Sequence, residues 1–200
     1  MSIADLPRPV GYVLGGGGSL GAVQVGMLQA LSEHDIAPDI VAGTSVGSLN
    51  GAVVALDPAS AAIPGIFPPV EIGPLRLYDG GLVANVPMRQ ALAMGARSLV
   101  VLDCNFPGHV PGPPATLAEV LLYTALVTMR AQPAFEAPLV AANVPVVYLN
   151  GPEPLRVSPL DFRQTGMLIE TAYEAARSFL RDLDITGPGL YGSPGPGPVT

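Results

Sequence analysis

A serine between two glycines is the clearest chemical feature of this sequence. Residues 43–47 read GTSVG, a G-x-S-x-G pattern, after the apolar residues 40–42 and before a helical pattern over Val46–Leu56. On a sharp strand-to-helix turn, a serine hydroxyl is held away from its own backbone, above the positive end of the helix. Ser45 is therefore a candidate nucleophile, although the pentapeptide alone also fits an ordinary glycine-rich turn.

A second glycine-rich segment, GGGGSLG at residues 15–21, follows the first apolar run of the chain. Its backbone N–H groups can converge on an anion at a helix N-terminus. The spacing of Gly16, Gly18 and Gly21 fits a dinucleotide loop, but an acidic residue is missing where the second strand ends. A phosphate-binding P-loop needs a lysine, and the chain has none. An oxyanion hole for ester hydrolysis is the only one of the three interpretations that also uses Ser45.

A nucleophilic serine needs a base, and the sequence offers two kinds. The order Ser45, Asp79, His109 matches the chain order of α/β-hydrolase triads, but His109 lies in a Pro-Gly loop. His34 ends a helix that we expect to be exposed. Asp79 is followed by two glycines that leave room for close approach, although Asp-Gly is also a common turn pair. The sequence favours Asp79 as the base.

Composition limits the partners and the compartment. The chain has 200 residues and a formal charge of −7, which repels phosphate backbones and argues against nucleic-acid binding. One cysteine, Cys104, excludes an internal disulfide, and with two histidines beside it a zinc site is disfavoured. We expect Cys104 to be a buried structural thiol. No apolar run reaches the roughly 20 residues of a membrane span, and the N-terminus lacks a secretory signal, so we expect a cytoplasmic protein.

Apolar runs and helical patterns alternate along the chain, which predicts an α/β domain with a parallel sheet. We expect one domain over residues 1–186 and a disordered Gly/Pro-rich tail over 187–200. Strands are predicted at 10–14, 39–42, 98–102 and 144–149, and helices at 22–34, 46–56, 88–94, 117–129 and 159–183.

Taken together, these motifs resemble the patatin-like phospholipase family. The resemblance rests on residues 15–21, 43–47, the phrase ASAAIPGIFPPVE at 59–71, DGG at 79–81 and NVP at 85–87. It implies a three-layer, parallel-sheet patatin-like hydrolase fold and a Ser-Asp dyad that cleaves acyl esters of lipids without metal, cofactor or histidine. By position, Ser45 is then the nucleophile, Asp79 the base, and Gly16, Gly17 and Gly18 the oxyanion loop.

Two departures from the family pattern stand out. Leu20 occupies a position where the family usually has arginine or lysine, and Leu56 reaches Ala59 through two residues where the family has a long segment. The fold is therefore expected to be shortened. The resemblance implies a phospholipase A or lysophospholipase, with peripheral membrane contact and a homo-oligomer as possible partners. The alternative is a catalytically impaired remnant that binds a lipid or a protein.

Overall fold

The computed structural model describes residues 1–56, 70–72, 75–77, 84–104, 116–151 and 161–194. Strands and helices alternate through most of these residues. The strands are β1 Val10–Leu14, β2 Ile40–Gly43, β3 Val70–Ile72, β4 Leu75–Leu77, β5 Ser98–Asp103, β6 Pro145–Asn150 and β7 Gly189–Gly192. The α-helices are α1 Ala22–Ser32, α2 Val46–Leu56, α3 Met88–Ala93, α4 Leu117–Ala141 and α5 Thr165–Arg181.

Five of the strands form one parallel sheet in the order β2-β1-β5-β6-β7. Every residue of β1 and β5 is buried, as expected for central strands covered by helices on both faces. Strands β3 and β4 pair with each other in an antiparallel manner and form a separate two-stranded sheet. The carboxyl ends of β1, β2 and β5 therefore meet at one edge of the large sheet, where connecting loops can build a site.

Helices cover both faces of the large sheet, which confirms the three-layer α/β prediction. Alternate residues of each strand point to opposite faces, so Tyr12 and Leu14 enter one core while Val13 enters the other. The first core contains residues of α1, α2 and α5, including Met27, Leu31, Val54, Leu168 and Ala172. The second contains residues of α3 and α4, including Met88, Ala91, Ala137 and Val140.

Helix α4 is longer than the sequence predicted. The prediction ended at residue 129, yet the helix continues to Ala141 with Pro133 and Pro138 inside it, although proline is unfavourable within a helix. Ala137 is fully buried against the sheet, so tertiary packing outweighs the unfavourable local effect of the prolines. Among the described helices, α4 included, none combines the length and the apolar character that crossing a membrane requires.

For residues 187–194, the sequence prediction of a disordered tail is corrected by strand β7, while residues 195–200 lie outside the described residues. Gly189–Gly192 pair with β6 and extend the sheet, with Leu190 opposite Val146. The Tyr191 hydroxyl accepts a hydrogen bond from Thr186 N at 2.8 Å and donates one to the Gly187 carbonyl at 2.9 Å. Leu190 and Tyr191 lie in this glycine-rich segment, which pairs with strand β6. Composition alone does not reveal this pairing.

Candidate active site

Ser45 lies in the turn between β2 and α2, with the backbone that a nucleophile turn requires. Its φ is +53°, in the left-handed region that non-glycine residues seldom adopt, so the backbone at Ser45 is strained. The turn is closed by hydrogen bonds from Gly47 N to Thr44 O at 2.8 Å and from Ser48 N to Ser45 O at 2.9 Å. Ser45 is half-buried at the N-terminus of α2, where the helix dipole favours negative charge.

The glycines of this turn are sterically necessary. A Cβ on Gly43 would lie 2.3 Å from the Gly47 carbonyl oxygen, and a Cβ on Gly47 would lie 2.2 Å from the Leu14 carbonyl oxygen. Both neighbours are backbone atoms that cannot move aside without shifting β1 or α2. The turn can therefore pack this closely against its neighbours only because residues 43 and 47 are glycines.

The glycine loop, residues 15–21, packs directly against the turn that carries Ser45. A Cβ built on Gly16 would be 3.3 Å from the Cβ of Ser45, and one on Gly21 would be 2.4 Å from a Val46 methyl group. On the other side of the loop, a Cβ on Gly17 would be 2.4 Å from the Cβ of Cys104. The loop therefore fills the space between the nucleophile turn and the end of β5.

Two backbone N–H groups of the loop are open, meaning that no acceptor among the described residues takes them. Gly15 N donates to Leu102 O at 3.0 Å, and Gly16 N donates to Asn85 O at 3.1 Å. Within the described part of the chain, no acceptor takes the N–H of Gly17 or of Gly18. Of the three predicted oxyanion donors, Gly16 already donates to Asn85 O, while the N–H groups of Gly17 and Gly18 remain without an acceptor among the described residues. The oxyanion role of these glycines stays a prediction.

The segment 84–86 joins the nucleophile turn to the glycine loop. Thr44 Oγ1 donates to Ala84 O at 2.8 Å, and Asn85 O accepts from Gly16 N. Gln132 of α4 holds the same segment, because its side-chain amide accepts from Val86 N and donates to Val86 O, both at 3.0 Å. Sequence reasoning missed Gln132, since nothing in its local pattern distinguishes it from a surface glutamine.

Asp103 and Cys104, at the end of β5, form a buried polar floor beside the loop. The Tyr148 hydroxyl donates to Asp103 Oδ2 at 2.5 Å, and both side chains are buried. Burial raises the pKa of the Cys104 thiol well above its usual range, and the nearby Asp103 raises it further. The thiol therefore stays protonated, and its predicted burial is confirmed.

The candidate bases are not all placed by the structure. Asp79 and His109 lie outside the described residues, so their predicted roles stay predictions. His34 follows the far end of α1, whereas the start of α1 adjoins the glycine loop. The 11 residues of α1 separate the two ends by about 16 Å, which places His34 away from Ser45.

Comparison with known families gives a match at the residues that build this site. Residues 12–58 and 59–92 match the family described as Patatin-like phospholipase, which confirms the resemblance for this part of the chain. The matched stretches contain Ser45, the whole glycine loop and Asp79. They meet between residues 58 and 59, the junction at which the sequence suggested a missing segment.

Individual relatives are similar over a shorter stretch. Lysophospholipase nte1 of Aspergillus terreus is 56% identical over 50 residues, which is 25% of this chain and 3% of that protein. A patatin-like phospholipase domain-containing protein of Caenorhabditis elegans is 52% identical over 54 residues, which is 27% of this chain and 4% of the relative. Lysophospholipase NTE1 of Meyerozyma guilliermondii is 50% identical over 56 residues, covering 28% and 4%. The similarity thus covers a small part of each relative's length.

Proposed function

We propose that this chain, whose residues 12–92 match the patatin-like phospholipase family, is a serine acyl-ester hydrolase that acts on lipids. It would be of the phospholipase A or lysophospholipase type. The observation that carries the proposal is the position of Ser45. It has a left-handed backbone at a helix N-terminus, beside a loop with open N–H groups at Gly17 and Gly18. Such a site has a nucleophile and donors for the negative oxygen that forms when it attacks an ester.

In this mechanism the Oγ of Ser45 forms a bond to the acyl carbonyl carbon and gives its proton to Asp79. The N–H groups of Gly17 and Gly18 stabilise the tetrahedral oxyanion, and Gly16 provides the close backbone packing next to Ser45. The bond from carbon to the alcohol oxygen then breaks, and the alcohol takes the proton from Asp79. Water attacks the acyl-enzyme in the reverse sense, which releases the fatty acid and restores Ser45.

The role of Asp79 in this proposal rests on the family motif and on the chain that follows it. Ala84 comes five residues after Asp79 in the sequence, a span of at most about 18 Å when fully extended. Because Thr44 and Gly16 bind segment 84–86, this part of the chain is attached beside Ser45. That attachment supports an acid within reach of the nucleophile.

A second function, an impaired family member that binds a lipid or a protein, is favoured by two observations. The two matched stretches adjoin at residues 58 and 59, and Leu20 is buried in the core, 5% exposed, where the family usually has a basic residue. The site therefore has no positive charge at this position to attract an anionic substrate. The proposed hydrolase is also expected to contact a membrane surface, to self-associate and to be cytoplasmic.

Labelling with a fluorophosphonate separates the two functions. The proposed hydrolase reacts at Ser45, and Ser45→Ala abolishes both labelling and hydrolysis of a short acyl ester while the thermal unfolding curve is unchanged. Ser48→Ala is the matched control, because the Ser48 side chain is exposed three residues along the same segment and its hydroxyl donates to Gly43 O. A fully folded protein that is not labelled supports the impaired member, and undiminished hydrolysis by Ser45→Ala contradicts the assignment of the nucleophile.

A further inference from the structure

Two buried side-chain amides lie behind the glycine loop, on the side of the helices. Gln24 of α1 is fully buried, and its Nε2 donates to Gly15 O at 2.8 Å and to Leu102 O at 2.9 Å. It therefore links the start of the loop to the end of strand β5. Both acceptors are backbone carbonyls, so the contact does not depend on any side chain of the loop.

Asn50 extends this connection to α2, the helix that begins directly after Ser45. It lies on α2 and is fully buried, and its Nδ2 donates to Gln24 Oε1 at 2.8 Å and to Gly21 O at 3.1 Å. The two acceptors fix the orientation of the amide. The two amides thus contact both ends of the glycine loop, Gly15 and Gly21, from the nucleophile helix.

The peptide group between Gly15 and Gly16 is held on both sides. Its carbonyl accepts from Gln24, and its N–H donates to Asn85 O. The next two N–H groups along the chain are the open ones of Gly17 and Gly18. Because this peptide group is held on both sides, it fixes the direction in which the chain enters Gly17 and Gly18. Asn50 lies on α2, so its hydrogen bonds fix the loop relative to the helix that follows Ser45.

The buried amides have no simple packing explanation. Asn50 Oδ1 is buried with no hydrogen-bond partner among the described residues, an arrangement that lowers stability. Methionine or leucine would fill the same volume without burying polar atoms. We propose that Gln24 and Asn50 are positioning residues that hold the glycine loop at a fixed distance from Ser45. The catalytic consequence rests on the proposed hydrolase function; the hold on the loop does not.

Kinetics of two variants test the catalytic consequence. Gln24→Met and, independently, Asn50→Leu are expected to lower kcat and the fluorophosphonate labelling rate by about 10-fold to 100-fold, with KM changed less than about twofold. Gln29→Met, at an exposed position of the same helix, is the neutral control. Leu31→Ala, in the core of that helix, destabilises the fold without touching the loop and should keep kcat. If Leu31→Ala loses as much kcat as the two test variants, the effect is one of stability and the proposal is wrong.

Amide hydrogen exchange tests the hold on the loop even in a protein with no esterase activity. In Gln24→Met we expect the Gly16 N–H to exchange at least about tenfold faster, while amides of β6 keep their protection. If the unmodified protein is not labelled by the fluorophosphonate, and Gln24→Met still shows faster exchange at Gly16, the proposed function is contradicted and the positioning role stands. Unchanged exchange at Gly16 in both Gln24→Met and Asn50→Leu overturns the positioning role itself.

Discussion

At the scale of single residues, the site depends on backbone positions that only certain residues tolerate. Ser45 has φ +53°, and its strain is held by the packing of α2 against β1, where Gly47 leaves no room for a side chain. A strained residue persists only when its surroundings over-determine it. The sequence pattern reveals this arrangement in advance because glycines at fixed spacing mark where backbones must meet.

Substituting Gly47 by alanine tests that close packing. Its Cβ would meet the Leu14 carbonyl oxygen at 2.2 Å, so we expect Gly47→Ala to lower the free energy of unfolding by at least about 2 kcal/mol. Gly166→Ala is the matched control, since no atom lies within 4 Å of its added Cβ and alanine favours a helix. Urea denaturation of both variants measures the effect. Equal stability of the two would show that β1 and α2 are not packed so closely.

The identity of the base is the second question at this scale. If Asp79 takes the proton of Ser45, Asp79→Asn should lower kcat by about 10³-fold or more, whereas His109→Ala and His34→Ala should change it less than about threefold. The three variants are compared with the unmodified protein on one short acyl ester. A large loss in His109→Ala, with a rate that follows a group titrating near pH 6.5, would give the role to the imidazole.

At the scale of elements, the central strands and the nucleophile helix could be predicted closely, whereas the second half of α4 and the last strand could not. β1 and α2 have the bounds that apolar runs and helical spacing gave. The second half of helix α4, beyond residue 129, and strand β7 were missed because their formation depends on distant partners, the sheet face for Ala137 and strand β6 for Leu190. The glycine and serine motifs of the site are local in sequence and could be recognised. The contact of Gln132 with Val86 joins distant residues and could not be predicted.

A salt-bridged aspartate at the start of the sheet makes stability depend on pH. Asp39 accepts from Arg8 Nη2 and from Val10 N, both at 2.7 Å, and the Arg8 hydrogen bond, followed by that of Val10, lowers the pKa of its carboxyl. Because the folded pKa is the lower one, the stabilisation is present above the unfolded pKa of about 3.9 and is lost as pH falls through the folded value.

Asp39→Asn should therefore lower the melting temperature at about pH 7, and the difference from the unmodified protein should shrink below about pH 4. Thermal denaturation across this range measures it. Glu174→Gln, at an exposed site on α5, is the control and should show a smaller change at neutral pH. A deficit in Asp39→Asn that stays constant down to about pH 2 would contradict the interpretation.

At the scale of the whole molecule, α4 exposes large apolar side chains. Phe135 is 71% exposed and Leu139 is 62% exposed, one helical turn apart on the same face, and Met94 near the end of α3 is also exposed. The shortened junction of the chain predicts a second exposed apolar surface, whose side chains lie outside the described part of the structure and belong to Ile63, Ile66, Phe67 and Leu77. Contiguous apolar surface is uncommon on monomeric proteins, so we expect it to be covered.

Replacing Phe135 and Leu139 together by serine should reduce the binding of a hydrophobic dye and lower the apparent mass in light scattering at high protein concentration. Thr128→Ser on the same helix, at an exposed polar position, is the control and should leave both signals unchanged. Measurements with and without detergent distinguish self-association from aggregation. An unmodified protein that stays a monodisperse monomer and binds no dye would contradict the expectation.

The strand order also has a consequence for synthesis on the ribosome. β1 lies between β2 and β5, and Val10 is opposite Ser98, so the chain must be translated well past Ser98 before β1 gains its second neighbour. Until then, the apolar β1 and α1 emerge with one side of the nascent sheet open, a slow and aggregation-prone arrangement. The glycine loop and the serine turn are thus translated before the strand that completes their surroundings, so the site assembles only after β5 has been synthesised.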